Sequence, residues 1–284
     1  MLRIAVQSKG RLYEESMELI AQAGIKFPAT KRTLLVPSRN FPVEVLFLRD
    51  DDIPDSVATG TADVGIVGFN EVLEKRQRVT VLHELGFGRC RLSLAISKDV
   101  DYPGRQWFNG KKIATSYPAI LRDYLDKHGI CADIHVINGS VEIAPGIGLA
   151  DGIFDIVSSG GTLVSNNLAE VEKVVDSQAV LIGGNLPLSD EKQSILEDLI
   201  FRFKSVMAAD GKKYLLMNVP RRSLDDVLEI LPGIKSPTVL PLADAGWCSV
   251  HAVIDESQFW DIVTRLKKVG AEGILVLDIM KMVP

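Results

Sequence analysis

The sequence predicts an α/β protein with two lobes and a separate C-terminal domain, and three observations favour this fold class. Short apolar runs alternate with amphipathic stretches through most of the chain. These runs are too numerous for one ordinary sheet, and the turn-rich stretch 99–110 interrupts them. After residue 212 the pattern changes to the order β-α-β-β-α-β, which is typical of a ferredoxin-like domain.

The first elements are a strand over 2–7 and a helix over 12–23, which has Leu12, Leu19, Ile20 and Ala23 on one face. We expect the alternation to give a largely parallel sheet, with residues 168–171 starting a helix. Further strands are predicted at 43–48, 62–67, 79–85, 91–97, 111–116, 132–138, 153–158 and 178–182.

A long helix is predicted over 190–209, with apolar residues at Ile195, Leu199, Phe203 and Val206. Asp190 and Gln193 have the spacing of a capping box. In the C-terminal domain we predict strands at 213–219, 238–242, 247–254 and 273–279 and helices at 223–231 and 256–269, with Pro232-Gly233 and Gly270 after the helices. This domain type hosts many functions and therefore indicates none by itself.

The composition of the 284 residues excludes several protein classes. Hydrophobic residues make up 46% and charged residues 24%, which is typical of a globular protein and argues against disorder. The net charge of −5, without a dense basic run, argues against nucleic acid as a partner. Neither a signal peptide nor a membrane-spanning run is expected. Three cysteines without a C-x-x-C pair fit a reducing compartment, so we expect a cytoplasmic enzyme.

The segment 155–163, Asp-Ile-Val-Ser-Ser-Gly-Gly-Thr-Leu, is the most informative motif. An apolar strand runs into small residues, whose backbone amides can converge on an anion at a strand-to-helix turn. The alternative is a plain glycine turn in which Thr162 caps the next helix, and the local pattern does not decide between the two. Asp155 is a candidate for binding ribose hydroxyls or a metal-bound water, or else a solvated residue at a strand end.

Other charged residues allow a functional and a structural interpretation. Glu142 follows Ser140, a candidate helix N-cap, so it either contacts a ligand or complements the helix dipole. Lys9, Gly10 and Arg11 follow the first strand, at the sheet edge where open α/β proteins bind ligands. No Walker motif, G-x-S-x-G or H-E-x-x-H occurs, and G-x-G-x-x-G fails at its last position, so covalent, zinc and dinucleotide chemistry are not favoured.

Taken together, these motifs resemble the ATP phosphoribosyltransferase family. The signature is Glu142, Gly148, Ala150, Ile153, Asp155-Ile156, Ser159-Gly160 and Thr162-Leu163. Supporting runs are Lys9 to Leu12, Arg49 to Pro54, Asp63 to Gly68, Gly88 to Ser93, Ala114 to Pro118 and Asn138 to Glu142. The resemblance covers essentially the whole chain, including the C-terminal unit that distinguishes the long form from the short form with its separate regulatory subunit.

The resemblance implies two periplasmic-binding-protein-like catalytic lobes and a regulatory domain. Lobe I is expected over 1–92, completed by 186–211, lobe II over 93–185 and a histidine-binding domain over 212–284. The implied reaction joins N1 of ATP to the ribose of phosphoribosyl pyrophosphate (PRPP), releasing pyrophosphate with Mg²⁺ present, as the first step of histidine biosynthesis. Histidine inhibition and a homo-oligomer, a dimer or a hexamer of dimers, are also implied.

The resemblance also assigns site residues. Ser158, Ser159, Gly160, Gly161 and Thr162 are expected to hold the PRPP 5′-phosphate, Asp155 the ribose hydroxyls, and Glu142 a substrate or Mg²⁺, which the substrate phosphates mainly carry. The ATP side is assigned Lys9, Gly10, Arg11, Arg49, Asn70, Arg89 and Tyr117, and catalysis is assigned to Asp155, Glu142, Lys9 and Arg11. Asn70 departs from the Asp of some relatives. Asn218, Thr238 and Gly273 are assigned to histidine, although Asn218 replaces an acidic residue of some relatives.

Two other functions stay open at this point. A non-enzymatic two-lobed anion sensor would fit the lobes, but acidic residues beside its anion loop would be unfavourable. A porphobilinogen deaminase-like transferase would need a cysteine placed to attach its cofactor. Cys90, Cys131 and Cys248 have no evident sequence context for that role.

Overall fold

The fold is built from mixed sheets flanked by helices. The computed structural model describes residues 1–28, 33–231 and 236–283, and within them the strands form three sheets. The chain divides into two compact units, residues 1–198 and 199–284. No helix in the described part of the chain is both long and apolar enough to cross a membrane.

Lobe I is the first sheet with its helices. Among the described residues the sheet has six strands in the order β2-β3-β1-β4-β11-β5. Its strands are β1 (Leu2–Gln7), β2 (Leu35–Pro37), β3 (Val43–Leu48), β4 (Val64–Gly68), β5 (Val79–Glu84) and β11 (Ala179–Gly184), and its helices are α1 (Arg11–Gln22), α2 (Ile53–Ala58) and α3 (Phe69–Lys75). The central strands β1 and β4 are almost entirely buried, which explains their continuous apolar sequence.

Lobe II is the second sheet, with five strands in the described residues in the order β10-β6-β9-β7-β8. Its strands are β6 (Cys90–Ser97), β7 (Lys112–Thr115), β8 (Asp133–Val136), β9 (Gly152–Val157) and β10 (Leu168–Ser177), and its helices are α4 (Pro118–Lys127) and α5 (Gly161–Ser165). Phe108 and Phe154 are fully buried in its core.

Both sheets are mixed, so the expectation of a largely parallel arrangement was wrong. β1 pairs in parallel with β3 and β4, whereas β11 is antiparallel to β4 and β5. In lobe II, β7 is parallel to β8 and β9, whereas β6 is antiparallel to β9 and β10. Residues 179–184, which the predicted boundaries group with lobe II, form strand β11 of the lobe I sheet. The chain therefore passes between the lobes twice, after β5 and after β10.

The helix expected from residue 168 is instead the strand β10. Leu168, Val171, Val174 and Val175 follow helical spacing and pack towards the lobe II core. Irregularities in the pairing with β6 lie between Glu170 and Glu172 and between Lys173 and Val175. Because each irregularity shifts which side chains face the core, the apolar pattern of this strand imitates that of a helix.

The helix α6 (Asp190–Ala209) buries Leu199 and Phe203 completely, as predicted. Its capping differs from the expectation, because the Ser189 hydroxyl accepts the Lys192 amide at 3.4 Å. The boundary between the two compact units falls within α6, after Asp198.

The C-terminal unit contains the predicted ferredoxin-like order. Its elements are β12 (Lys212–Pro220), α7 (Leu224–Ile230), β13 (Thr238–Pro241), β14 (Trp247–Asp255), α8 (Phe259–Lys268) and β15 (Glu272–Asp278). The described strands are ordered β13-β14-β12-β15, and each pair is antiparallel. The predicted Pro232-Gly233 punctuation lies outside the described residues. The α/β class, with two lobes and this C-terminal domain, is confirmed.

Candidate active site

The turn from β9 to α5 contains the residues predicted to hold a phosphate. β9 ends at Val157, Gly160 has φ 80° at the N-cap, and α5 begins at Gly161. The left-handed conformation of Gly160 favours glycine, since a side chain there would be strained. Thr162 lies inside the first turn of α5, so the alternative in which it is the N-cap was wrong.

This turn presents backbone donors without partners. Gly161 donates its amide to the Ser159 hydroxyl at 3.4 Å. Within the described part of the chain, no acceptor pairs with the amides of Gly160, Thr162 and Leu163. Ser158, Ser159 and Thr162 are exposed. The turn can therefore donate several main-chain hydrogen bonds to an anion from solvent.

Arg91 anchors the start of the turn from the neighbouring strand β6. Its guanidinium donates to the Ser158 carbonyl at 3.1 Å and pairs with Glu170 of β10. Ser93 donates to Glu170 at 2.8 Å, and these bonds, with the Arg91 pair first, lower the pKa of Glu170. Sequence reasoning missed Arg91, although it lies in the run 88–93. The signal that could have identified it is a charged residue at the start of a predicted strand, directly before the buried Leu92.

Asp155 lies on β9, immediately before this turn. Its Oδ1 accepts the Ile156 amide at 2.8 Å. Burial, with a contribution from the charge of Glu142, raises the pKa of Asp155 to about 6. Glu142 lies on a 3₁₀ turn, Val141–Ile143, and Ser140 precedes it with φ 51° and no side-chain capping bond. The two carboxylates are thus electrostatic neighbours, as a shared ligand site requires.

A cavity of about 250 Å³ lies between the lobes and next to the turn. Its lining brings together predicted residues from both lobes: Arg11, Asn70, Arg89, Tyr117 and Ser158. Arg11 Nε donates to Glu15 at 2.9 Å. Arg89 is exposed and has no ion-pair partner among the described residues, so it is available to an anionic ligand.

A hydrogen-bonded network lies at the wall of this cavity. The Asn70 side-chain amide donates to Glu71 Oε1 at 3.0 Å and to the Tyr117 hydroxyl at 3.4 Å. The Ser177 hydroxyl accepts a hydrogen bond from the Asn70 backbone amide at 3.0 Å and donates one to Asn70 Oδ1 at 2.9 Å. The network joins α3 of lobe I to residues of lobe II.

Glu71 is the other functional candidate that sequence reasoning missed. It is only 6% exposed. Burial first, and then the nearby charge of Asp50, raises its pKa to about 7. Burial also raises the pKa of Tyr117, with contributions from the charges of Glu71 and Asp155. In the sequence, Glu71 lies in a short polar run after an apolar strand, and this pattern does not indicate that its carboxyl is buried beside a cleft.

Several predicted residues lie outside the cavity lining. Lys9 is exposed, and Gly10 is the N-cap of α1 with φ 95°. Arg49 is exposed and its Nε is 3.1 Å from Asp51. Asp155, Glu142 and the residues from Ser159 to Thr162 are also absent from the lining. Of the predicted residues, the structure therefore brings Arg11, Asn70, Arg89, Tyr117 and Ser158 together around the cavity, but not Lys9, Gly10 and Arg49.

The residues assigned to histidine lie in the C-terminal sheet. A Cβ on Gly273 would be 3.4 Å from Asn218 Nδ2, so these two are adjacent on β15 and β12. Thr238 lies opposite His251, whereas Asn218 lies opposite Ser249, so Thr238 is two strands away and in a different row. The structure brings two of the three residues together.

Comparisons with known proteins identify the family. A family model described as ATP phosphoribosyltransferase matches residues 49–205, and one described as HisG, C-terminal domain, matches residues 209–281. ATP phosphoribosyltransferases of Bacteroides thetaiotaomicron and Phocaeicola vulgatus are 63% and 64% identical over 283 residues, covering 100% of each chain.

A solved structure agrees with this assignment. In the ATP phosphoribosyl transferase (HisG:HisZ) complex from Thermotoga maritima, one chain superposes with a TM-score of 0.62 at 28% identity. The match covers 72% of this chain and 98% of that one. The full-length relatives are enzymes, so the interpretation as a non-enzymatic sensor is not retained. On these matches the chain belongs to the ATP phosphoribosyltransferase family, in the long form that includes the C-terminal domain.

Proposed function

We propose that this enzyme transfers the phosphoribosyl group of PRPP to N1 of ATP, giving N1-(5-phosphoribosyl)-ATP and pyrophosphate, in the first step of histidine biosynthesis. The observation that carries this proposal is the β9–α5 turn, whose unpaired amides adjoin a cleft lined from both lobes. A phosphate on the turn would leave Asp155, three residues before Ser158, free to accept hydrogen bonds from ribose hydroxyls.

The chemistry requires positioning and charge stabilisation more than a nucleophile. As pyrophosphate leaves, the ribose gains oxocarbenium character and negative charge accumulates on the leaving group. Holding N1 of the adenine against C1 of the ribose supplies much of the rate enhancement by restricting orientation. In this scheme Ser158 to Thr162 bind the phosphate, Asp155 binds the ribose, and Arg11 and Arg89 face the phosphates of the nucleotide.

The remaining assignments complete the ATP side. Asn70 and Tyr117 lie in the cavity wall, where they can contact the adenine or its ribose. Lys9, Gly10 and Arg49 lie outside the lining in this conformation, so their contact with ATP requires a different arrangement of the cleft. Lys9 is exposed and is free to reach a polyphosphate as a flexible cation.

The carboxylates fit a substrate-borne Mg²⁺. Among the described residues there is no group of three or more His, Cys, Asp or Glu side chains that could hold a metal. Mg²⁺ is commonly bound by one or two carboxylates together with substrate phosphates, which Glu142 and Asp155 can supply. When bound, the ion would neutralise charge on the departing pyrophosphate.

The C-terminal domain of the long form supports a proposal for regulation and assembly. We propose that histidine binds the C-terminal domain at Asn218, Thr238 and Gly273 and inhibits the enzyme, without a separate regulatory subunit. A homo-oligomer, a dimer or hexamer, is supported by the edge strand β15, where Leu275, Val276 and Leu277 are exposed. A cytoplasmic location remains part of this proposal.

Incubating the purified protein with ATP, PRPP and Mg²⁺ tests the reaction. We expect phosphoribosyl-ATP and pyrophosphate to form in equal amounts, identified by mass spectrometry and a pyrophosphate assay. Omitting either substrate is the control. Binding of both substrates without any product would contradict the proposed activity.

A further inference from the structure

Helix α3 of lobe I is bonded directly to helix α4 of lobe II. The Glu74 carboxylate accepts the amide of Ala119 at 2.9 Å and that of Ile120 at 3.0 Å. Arg76 donates to the Ala119 carbonyl at 3.0 Å and to Asp123 at 2.7 Å. The side chain of Leu73 packs on the lobe II core. The end of the short helix α3 in lobe I is therefore hydrogen-bonded to the first turn of α4 in lobe II.

Glu74 acts as the N-terminal cap that α4 lacks in its own sequence. The N-cap residue of α4 is Tyr117, which makes no side-chain capping bond, and Pro118 follows at the start of the helix. A helix start leaves amides without partners, and a carboxylate there satisfies them and complements the helix dipole. Glu74 therefore supplies from lobe I the cap that the Tyr117 side chain, which lies in the cavity wall, does not provide.

The same contact lies directly beside Tyr117, whose hydroxyl reaches the network of α3. The hydroxyl of Tyr117 is 3.4 Å from Asn70 Nδ2, and Asn70 is one helical turn before Glu74. Only the Glu74 bonds join α3 to the backbone amides immediately after Tyr117 within the described residues. The Arg76–Asp123 pair is largely exposed and, as a surface ion pair, contributes little.

We propose that Glu74 is a positioning residue for nucleotide binding: by capping α4 from the opposite lobe, it holds the Tyr117 hydroxyl against Asn70 in the wall of the ATP pocket. This inference rests on the proposed function, because it concerns the pocket assigned to ATP. Glu74 acts through Tyr117 and does not itself line the cavity.

The test compares Glu74→Ala in the wild type and in a Tyr117→Phe background. In the wild type we expect the KM for ATP to rise about tenfold with kcat within about twofold, since bonds to a charged acceptor are lost. With Tyr117→Phe there is no hydroxyl to position, so the same change should raise the KM less than about twofold. Asp123→Asn, which removes only the exposed pair, is the matched control and should leave KM nearly unchanged.

Glu74→Gln retains one acceptor oxygen and should give an intermediate KM; it replaces Glu74→Ala in both backgrounds if the alanine variant does not fold. An equal rise in KM in both backgrounds would show a purely structural role and overturn the inference, as would an unchanged KM in the wild type. If the wild type makes no phosphoribosyl-ATP, the proposed function fails first and this inference falls with it. Turnover in the wild type with no coupling between Glu74 and Tyr117 refutes the inference alone.

Discussion

Asp155 and Glu142 are two acidic side chains whose charges interact beside the β9–α5 turn. The charge of Glu142 adds to burial in raising the pKa of Asp155 to about 6. Asp155 accepts ribose hydroxyls best when it is ionised, because both of its oxygens are then acceptors only. Its ionisation in the free enzyme should therefore appear in the pH dependence of kcat/KM for PRPP.

We expect kcat/KM for PRPP to fall as the pH is lowered through about 6, where Asp155 gains a proton. Glu142→Gln removes a negative neighbour, so ionisation becomes easier and the acid limb should move to lower pH, whatever the change in absolute rate. Initial rates measured from pH 5 to 8 in both proteins test this. An acid limb at the same pH in the variant would contradict the electrostatic coupling.

Glu71 makes a separate prediction about stability. Its pKa is raised from 4.5 in the unfolded chain to about 7 in the folded protein. The folded state therefore binds more protons between these values, and the stabilisation present at low pH is lost as the pH rises through about 7. The shift corresponds to about 3 kcal/mol of free energy of unfolding.

Glu71→Gln removes this titration, so the decline in unfolding free energy between pH 5 and pH 8 should become shallower by up to about 3 kcal/mol. Urea unfolding at the two pH values measures it. Glu14→Gln, at an acidic residue in the first turn of α1, is the control. Equal losses of unfolding free energy in the wild type and in Glu71→Gln over this range would refute the raised pKa of Glu71.

At the scale of elements, two neighbouring hydroxyl groups distinguish a ligand-binding role of the β9–α5 turn from a structural role within α5. Thr162 is exposed in the first turn, whereas the Ser165 hydroxyl donates to the Gly161 carbonyl at 3.0 Å and is engaged within the helix. If the turn binds phosphate, Thr162→Ala removes a bond to a charged ligand and should cost about 1.5–3 kcal/mol in kcat/KM for PRPP. Ser165→Ala should change kcat/KM for PRPP far less, and equal losses would remove Thr162 from the site.

Elements were predictable from sequence where one local pattern sufficed. The strand before Ser158 and the helix α6 follow from apolar runs and a clear 3.6-residue period. The strand β10 was not predictable, because its pairing irregularities place Val171 and Val174 at helical spacing. The parallel or antiparallel sense of β6 and β11 depends on partners far apart in the chain, which periodicity does not encode.

At the scale of the whole molecule, the candidate site was predictable only in part, because some of its residues come together from distant parts of the chain. The β9–α5 turn is contiguous in sequence, so its small residues predict a turn at this position. The network of Asn70, Glu71 and Tyr117 forms across two lobes, and nothing near Glu71 in the sequence indicates the burial that raises its pKa. The cap that Glu74 provides to α4 likewise joins residues 45 positions apart.

The proposed inhibition by histidine is tested on the full chain. An inhibitor acts by binding the less active state more tightly, and the coupling is reciprocal, so a factor by which histidine weakens substrate binding must equal the factor by which substrates weaken histidine binding. We therefore expect calorimetry on the full-length protein to detect histidine binding that becomes weaker in the presence of PRPP and Mg²⁺.

Asn218 provides the mutational test of this coupling. It lies next to Gly273 in the C-terminal sheet and offers neutral hydrogen bonds. Asn218→Ala should raise the histidine concentration for half-inhibition about tenfold, the effect of losing roughly 1.4 kcal/mol of binding free energy. Thr264→Ala is the control in the same unit, because the Thr264 hydroxyl donates within its own helix, to the Trp260 carbonyl. Inhibition that persists while calorimetry detects no histidine binding would refute an allosteric site in this domain, because an effector cannot shift an equilibrium between states that it does not bind.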